Sequence, residues 1–164
     1  AWNIGGDRLE EAINTFRPLP HRMEWVAEVD GGQYINNSMC TNLQAAEESL
    51  KAVPAPVVLI MGGVDKSFSP FEKLVPALRQ KARGVVLIGA DAERIETQLR
   101  AAGWERTIRC NTLEEAVLHA RDLAQPGDCV MLSPGCASFD MFTDFKERGN
   151  AFRRIVRRLE GRDE

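Results

Sequence analysis

The chain has 164 residues, of which 44% are hydrophobic and 27% charged, a size and composition typical of one globular domain with a sizeable core. The formal net charge of -3 gives no general case for binding nucleic acid or a membrane surface. No apolar run is long enough to span a membrane, and nothing resembles a signal peptide.

The first third of the chain predicts a helix, a linker and a hairpin. Residues 8–16 have the apolar spacing of a helix, and the two prolines of RPLPHR at 17–22 indicate a linker. MEWVAEV at 23–29 alternates like a strand. DGG at 30–32 is typical of a turn, and QYIN at 33–36 completes the hairpin.

From residue 41 onward, apolar strands alternate with amphipathic helices. The predicted strands are PVVLIM at 56–61, GVVLIG at 84–89, TIRC at 107–110 and DCVMLS at 128–133. The predicted helices are TNLQAAEESLKAV at 41–53, a helix opened by SPFEKL at 69–74, DAERIETQLRAAG at 91–103, TLEEAVLHARDLA at 112–124 and a long final helix from about Asp144. The basic run FRRIVRRLE at 152–160 belongs to that helix, with its arginines on a solvated face.

Several helix boundaries carry local signals. Thr41 is predicted to cap the helix that begins one residue later, and Ser69 to cap the next helix, with a proline after it. Pro76 should kink or split that second helix. Thr112 and Glu115 have the spacing of a capping box.

This alternation predicts an α/β fold with a Rossmann-like, doubly wound and mostly parallel sheet, and an antiparallel hairpin at its N-terminal side. In such sheets, ligands bind where the strands' carboxyl ends meet the loops. Three loops with unusual chemistry leave such ends: NNSMCTN at 36–42 (the first residue still in the strand), GGVDKS at 62–67 and SPGCASFDMF at 133–142. We expect these loops to converge on a pocket.

The loop GGVDKS is not a Walker A phosphate loop, because the required glycine pattern is missing, and no G-x-G-x-x-G occurs in the chain. Its two glycines allow the backbone to approach a ligand closely. Lys66 is either a clamp for a carboxylate or phosphate group or a solvated loop lysine. The loop alone leaves both interpretations open.

Other candidate groups are equally ambiguous when taken one at a time. Ser138 lacks a nucleophile-elbow context and is a better hydrogen-bond donor than a nucleophile. Phe139 and Phe145 belong either to a core or to a ligand wall. His21 and Arg22 follow the linker, as surface residues or as hinge residues that face a ligand between two domains.

The four cysteines predict neither a metal site nor a redox motif. None of them forms a C-x-x-C pair, and no histidine lies near them in the sequence. Unpaired cysteines fit the reducing cytoplasm.

LPHRMEWV, INNSMCTN, GGVDK and LSPGCASFDMFTDFKERGNAF occur in this order, and together they resemble the C-terminal domain of the Mur ligase family, most closely its D-glutamate-adding branch. The resemblance covers residues 17–159. It implies that 1–16 end a central ATPase domain, that 17–22 form a hinge linker, and that 23–164 form the C-terminal amino-acid-binding domain.

The resemblance also implies a function in peptidoglycan precursor synthesis, and so in cell-wall biogenesis, cell shape and cell division. The expected enzyme is an ATP-dependent ligase that joins D-glutamate to UDP-N-acetylmuramoyl-L-alanine through an acyl phosphate. ATP and Mg²⁺ would be bound mainly by the central domain, so this chain alone should be inactive. A cytoplasmic monomer is expected, without nucleic-acid or membrane partners.

The resemblance assigns roles to five residues around the amino acid. Lys66 is the cation for a D-glutamate carboxylate. Thr41 and Ser138 are its hydrogen-bonding partners. Phe139 and Phe145 supply pocket wall and backbone contacts.

On the nucleotide side, the resemblance assigns contacts to His21, Arg22 and Asn37. This chain departs from the family there, since the usual N-D-S-K-A-T-N is N-N-S-M-C-T-N. Asn37 therefore stands in place of an aspartate and Met39 in place of a lysine.

Two alternatives stay open. One is a related Mur or folylpolyglutamate-type ligase with another amino-acid substrate, although no D-N-P-R tetrapeptide of the neighbouring ligases occurs here. The other is a non-enzymatic small-molecule-binding module of flavodoxin-like shape.

Overall fold

The computed structural model of the chain describes residues 19–53 and 56–161. The predicted helix at 8–16 and the first two residues of the predicted linker lie outside the described residues.

The described residues form one six-stranded sheet in the order β1-β2-β6-β3-β4-β5. Strands β1 and β2 pair antiparallel, and every other neighbouring pair is parallel. The prediction of a mostly parallel sheet with an N-terminal hairpin is therefore confirmed. The strands are β1 Glu24–Val29, β2 Gly32–Asn36, β3 Val57–Gly62, β4 Ala82–Ile88, β5 Thr107–Arg109 and β6 Cys129–Leu132.

Helices cover both faces of the sheet. They are α1 Leu43–Ala52, a 3₁₀ helix Phe71–Leu74, α2 Val75–Lys81, α3 Ala92–Ala101, α4 Leu113–Leu123 and α5 Phe145–Leu159. Within the described part of the chain, no helix has the length and apolar character needed to cross a bilayer.

Strand β3 shows why the central strands are continuously apolar. Leu59 and Met61 pack into one hydrophobic cluster with residues of α1, α2 and α3. Val58 and Ile60 point to the opposite face, into a second cluster with residues of α4 and α5. All four side chains are fully buried, as expected for a strand that lies between two helical layers.

Two predicted boundary signals are confirmed. Thr112 and Glu115 form a reciprocal capping box at the start of α4. Pro76 lies in the first turn of α2, directly after the 3₁₀ helix, so the predicted helix is split where the proline removes a backbone donor.

Two predicted caps are wrong. The cap of α1 is Asn42, whose side chain accepts a hydrogen bond from the backbone N–H of Ala45 at 2.9 Å, and not Thr41. Ser69 does not cap a helix, because its hydroxyl donates to Asp65 Oδ1 at 2.9 Å. Asn42 thus takes the role predicted for Thr41, whereas the residue before the 3₁₀ helix is Pro70, which makes no capping side-chain hydrogen bond.

Candidate functional site

The strand order brings the three candidate loops together. Because β6 lies between β2 and β3, the loops that follow these three strands leave adjacent positions at one edge of the sheet. Val64 and Ala137 exchange two backbone hydrogen bonds of 2.9 Å, which join the second loop to the third. Gly135 N–H donates to the Cys40 carbonyl at 3.0 Å and joins the third loop to the first. The predicted convergence is confirmed.

A cavity of about 390 Å³ opens between these loops; we call it the rim cavity. Its walls come from all three loops and from the start of α5. The lining residues are Thr41, Asn42, Val64, Asp65, Lys66, Ser67, Ala137, Ser138, Phe139, Asp144 and Phe145. The structure thus brings together the five residues that the sequence suggested for an amino-acid site.

Lys66 and Phe139 form the exposed part of the rim. The Lys66 ammonium group lies 4.6 Å from the centroid of the Phe139 ring, and this ring is 62% exposed. A cation over an aromatic face is attracted by the negative charge density of the ring. Lys66 therefore places its positive charge at the opening of the cavity, in contact with the Phe139 ring.

The backbone on both sides of Lys66 is fixed by the carboxylate of Asp65. This carboxylate accepts hydrogen bonds from the backbone N–H of Ser67 and Ser69, and an ion pair of 2.7 Å from Arg94 Nη2. Arg94 Nε also binds Asp91, whose second oxygen accepts from the Asp65 N–H at 2.7 Å. Burial alone would raise the pKa of Asp65, but the hydrogen bonds from Ser69 and Arg94 outweigh it and lower the pKa. Asp65 thus stays ionised as the anchor of the loop.

The glycines of the same loop are required by close backbone contacts. Gly63 has φ +122°, and a Cβ atom there would lie 2.1 Å from the Ala137 carbonyl oxygen. Gly62 has φ +119°, and a Cβ atom there would meet the Ile88 carbonyl oxygen at 2.0 Å. Only glycine fits this geometry without displacement of the neighbouring backbone.

Arg148 joins the first and third loops from below. Its side chain is 1% exposed and donates to Ser38 Oγ, to the Ser38 carbonyl and to the Cys136 carbonyl at 3.0–3.2 Å. Ser38 Oγ in turn donates to the Phe145 carbonyl at 2.7 Å. Burial lowers the pKa of Arg148 to about 10, so the guanidinium group is still charged at neutral pH. A positive charge therefore lies beneath the loops that form the cavity.

A second cavity of about 440 Å³ lies between the predicted hinge and α1; we call it the hinge cavity. Arg22 and Asn37 line it, together with Met39. The full set of lining residues is Arg22, Met23, Asn37, Met39, Cys40, Ala45, Glu48, Ser49 and Ala52. The loop at 36–42 separates the two cavities, since Met39 and Cys40 face one of them and Thr41 faces the other.

The Asn37 side chain already has several partners inside the protein. Its Oδ1 accepts from the Met23 N–H at 3.2 Å, and its Nδ2 donates to Ser49 Oγ at 2.8 Å and to Ser133 Oγ at 3.1 Å. Both amide hydrogens are thus used by the protein. Asn37 holds the end of the linker against α1 and the end of β6.

His21 lies beneath α5, where its ring packs edge-on against Phe145 with centroids 6.2 Å apart. The side chain is buried, in contrast to the exposed Arg22 that follows it. The two neighbours in sequence thus have different surroundings.

Sequence reasoning missed Arg94 and Arg148. Arg148 is the arginine of FKERG at the end of the third loop motif, and the sequence pattern did not reveal that this side chain is buried. Arg94 lies 29 positions from Asp65, and no local pattern connects two such residues.

Across residues 19–53 and 56–161, no three His, Cys, Asp or Glu side chains are grouped so that they could hold a metal ion. Asp65 and Asp91 are instead paired with Arg94, and Asp144 caps α5.

Comparison with known proteins places this arrangement in a family. The family model described as "Mur ligase, glutamate ligase domain" matches residues 21–136. A UDP-N-acetylmuramoylalanine–D-glutamate ligase of Nitrosococcus oceani is 48% identical over 152 residues, which are 90% of this chain and 32% of that protein. The chain thus spans about a third of the length of the curated relatives it matches.

Two solved structures share the fold at low sequence identity. A UDP-N-acetylmuramate-alanine ligase (MurC) of Thermotoga maritima has a TM-score of 0.63 at 16% identity, over 94% of this chain and 35% of that one. E. coli FolC in complex with ADP has a TM-score of 0.63 at 19% identity, over 98% of this chain and 37% of that one. These similarities concern the fold.

Proposed function

Because the chain belongs to the Mur ligase family through its glutamate ligase domain, we propose that it is the C-terminal domain of an ATP-dependent ligase. The proposed enzyme joins D-glutamate to UDP-N-acetylmuramoyl-L-alanine in peptidoglycan precursor synthesis. The observation that carries this proposal is the rim cavity, where three loops and the start of α5 place Lys66, the hydroxyl groups of Thr41 and Ser138, and an aromatic wall around one space. The relative of Nitrosococcus oceani bears the name of this activity.

The amino acid is proposed to bind in the rim cavity. Lys66 pairs with one of its carboxylates, while Thr41 and Ser138 hydrogen-bond to its polar groups. A lysine is a suitable partner because its ammonium group carries three donors on a flexible stem. The buried charge of Arg148 beneath the loops adds to the positive potential that an acidic substrate requires.

The aromatic wall has a second role in the proposed reaction. ATP phosphorylates the carboxyl group of UDP-N-acetylmuramoyl-L-alanine, the amine of D-glutamate attacks the acyl phosphate, and inorganic phosphate leaves as the amide forms. Water would hydrolyse the acyl phosphate instead. Phe139 and Phe145 are proposed to exclude water from the bound amine, and closing such a site also strengthens its electrostatic contacts.

ATP is proposed to contact this domain from the hinge cavity, where Arg22 is the exposed cation. Mg²⁺ is assigned to parts of the protein outside this chain, in line with the paired state of the acidic groups described above. Residues 17–22 would then be the hinge and 23–164 the domain that closes over the nucleotide. Free cysteines fit a cytoplasmic location.

The proposal is tested by joining the chain to the remaining two-thirds of its protein and measuring phosphate release from ATP. We expect release that requires both UDP-N-acetylmuramoyl-L-alanine and D-glutamate, and none from the chain alone. Activity with L-glutamate and a folate acceptor would instead favour a folylpolyglutamate-type ligase. Saturable binding of acidic amino acids without any ATP turnover would indicate a binding module.

A further inference from the structure

The His21 imidazole is held in one orientation by its surroundings. The residue is 6% exposed, and its Nδ1 lies 3.0 Å from Nδ2 of Asn36 at the end of β2. On the α5 side, Gly149 leaves room for the ring, because a Cβ atom there would lie 2.2 Å from Nδ1. With Phe145 packed edge-on, the ring cannot turn without moving α5.

Three neighbours fix which end of the Asn36 amide faces each group. The Ser38 backbone N–H donates to Oδ1 at 3.2 Å, so that atom is the carbonyl oxygen. The opposite end lies 3.2 Å from the Gly149 carbonyl oxygen and 3.0 Å from Glu24 Oε2, both of which can only accept, so its two hydrogens are shared among these oxygens and His21 Nδ1. The group that faces His21 is therefore the amide NH₂, which can only donate.

A donor at this position determines the proton on the ring. Nδ1 must present its lone pair to Asn36, since two donors cannot share one hydrogen bond, and the single ring proton of the neutral form is then on Nε2. We infer that Asn36 holds His21 as a neutral imidazole protonated on Nε2, which offers the nucleotide a hydrogen-bond donor instead of a positive charge. The nucleotide as ligand rests on the function proposed above, whereas the tautomer does not.

The charged groups around His21 oppose each other. Glu24 on β1, with Oε2 3.9 Å from Nδ1, and Asp144 before α5 favour protonation, while Arg153 and Lys146 on α5 oppose it. Arg153 also pairs with Glu24 at 3.0 Å and so offsets the attraction of that carboxylate. Burial is the largest influence and lowers the pKa of His21.

A neutral donor has a functional consequence at the hinge. It binds a phosphate or hydroxyl oxygen equally well across the neutral pH range, whereas an imidazolium would lose its charge there. Of the sequence neighbours His21 and Arg22, only the exposed Arg22 then supplies a positive charge. Asn36 acts as a positioning residue, since it affects the ligand through the state of His21.

The tautomer can be measured directly on this chain by NMR with ¹⁵N-labelled histidine. The chain has two histidines, and His119, exposed on α4, provides the reference for a solvent-facing ring. For His21 we expect an unprotonated Nδ1 and a protonated Nε2 at pH 7 and above. A proton on Nδ1, or an imidazolium at pH 7, would overturn the inference.

Asn36→Asp places an acceptor where the amide donates. We expect His21 to acquire a proton on Nδ1 and to remain an imidazolium to higher pH than in the unchanged protein. Asn111→Asp adds the same charge at a remote exposed position and should leave the His21 signals unchanged. If Asn36→Asp does not fold, the spectrum of the unchanged protein still decides the question.

In the rejoined ligase, Asn36→Asp should make the KM for ATP depend on pH, because the charge of His21 then changes with pH. The KM for D-glutamate should stay the same as in the unchanged enzyme. Equal changes in both constants would assign Asn36 a general structural role and overturn its positioning role. Absence of ligase activity in the unchanged enzyme would contradict the proposed function and leave the NMR result intact.

Discussion

The ammonium group of Lys66 lies over the ring of Phe139, 4.6 Å from its centroid. Because this ring is mostly exposed, the contact adds little to the hydrophobic core. It restricts instead where the lysine can be before a substrate carboxylate arrives. Because of this restriction, the Lys66 side chain loses less conformational entropy when a substrate carboxylate binds.

Lys66→Ala should weaken use of D-glutamate by the rejoined ligase. Removal of one partner of a desolvated charge pair costs about 2–5 kcal/mol, which corresponds to a loss in kcat/KM of about 30-fold to several-thousand-fold. Steady-state kinetics with varied D-glutamate measures this loss. Lys73→Ala, on the exposed side of the 3₁₀ helix, is the matched control and should leave the kinetics unchanged. Full activity of Lys66→Ala would contradict the proposed pairing of Lys66 with a D-glutamate carboxylate.

Phe139→Leu should raise the KM for D-glutamate by about two- to fivefold, because an exposed cation–π contact contributes about 0.5–1 kcal/mol. The melting temperature should hardly change, since the ring is 62% exposed. Phe68→Leu, which alters an aromatic ring with 84% exposure in the neighbouring loop, is the control. If both variants have the same KM, the Phe139 ring does not position Lys66.

Arg94→Ala should raise the KM for D-glutamate more than the KM for ATP. Without the guanidinium group, the buried carboxylate of Asp65 loses its ion pair, and the backbone that carries Lys66 loses an anchor. Arg100→Ala, on the same helix with its ion pair to Glu96 at the surface, should leave both constants unchanged. A uniform rise of both constants in Arg94→Ala would indicate a general loss of folded protein instead.

Gly63→Ala should destabilise the protein and impair the rim cavity. The new Cβ atom would lie 2.1 Å from the Ala137 carbonyl oxygen, at a φ of +122° that side chains rarely adopt. Gly127→Ala is a control with φ +89° and no atom within 4 Å of the added Cβ, so it carries the backbone strain alone. Urea unfolding should therefore show a larger loss for Gly63→Ala than for Gly127→Ala. Equal losses of unfolding free energy would mean that the loops of Gly63 and Ala137 move apart without destabilising the protein.

The ion pair between Arg83 and Asp128 should make the free energy of unfolding depend on pH. Hydrogen bonds from Arg83 hold the pKa of the buried Asp128 carboxyl below its usual range. A depressed pKa stabilises the folded state above the unfolded-state pKa, and this contribution is lost as pH falls through the folded-state value. Asp128→Asn should lower the free energy of unfolding by about 1–3 kcal/mol at pH 7. Urea unfolding at strongly acidic pH should show a smaller difference in unfolding free energy between the unchanged protein and Asp128→Asn. A difference that is constant with pH would contradict the role assigned to the ion pair.

Much of the architecture follows from local patterns. Continuous apolar runs such as VVLIM in β3 predict central strands, because a strand between two helical layers has no solvent face. The N-cap of α1 was less predictable, since Thr41 and Asn42 are both good capping residues and their tertiary positions decide between them. Here Thr41 lines the rim cavity and Asn42 caps the helix.

The convergence of the three loops was predictable from the sequence, whereas contacts between residues far apart in the chain were not. The rim residues follow from three motifs at strand ends. The clamp between Arg94 and Asp65 joins positions 29 residues apart, and the partners of Asn36 come from β1, the linker and α5. Such contacts require the whole fold to be known.

The position of β6 sets the order in which this domain can mature. Of the strands within residues 19–53 and 56–161, Cys129–Leu132 leaves the ribosome last, yet it hydrogen-bonds to β2 on one side and to β3 on the other. A nascent chain that stops short of this strand contains two halves of a sheet with no bridge between them, and non-local pairing of this kind is slow to form. Ligand recognition is therefore acquired late during synthesis, so a chain truncated before residue 129 should be a substrate for proteases and chaperones before it can bind an amino acid.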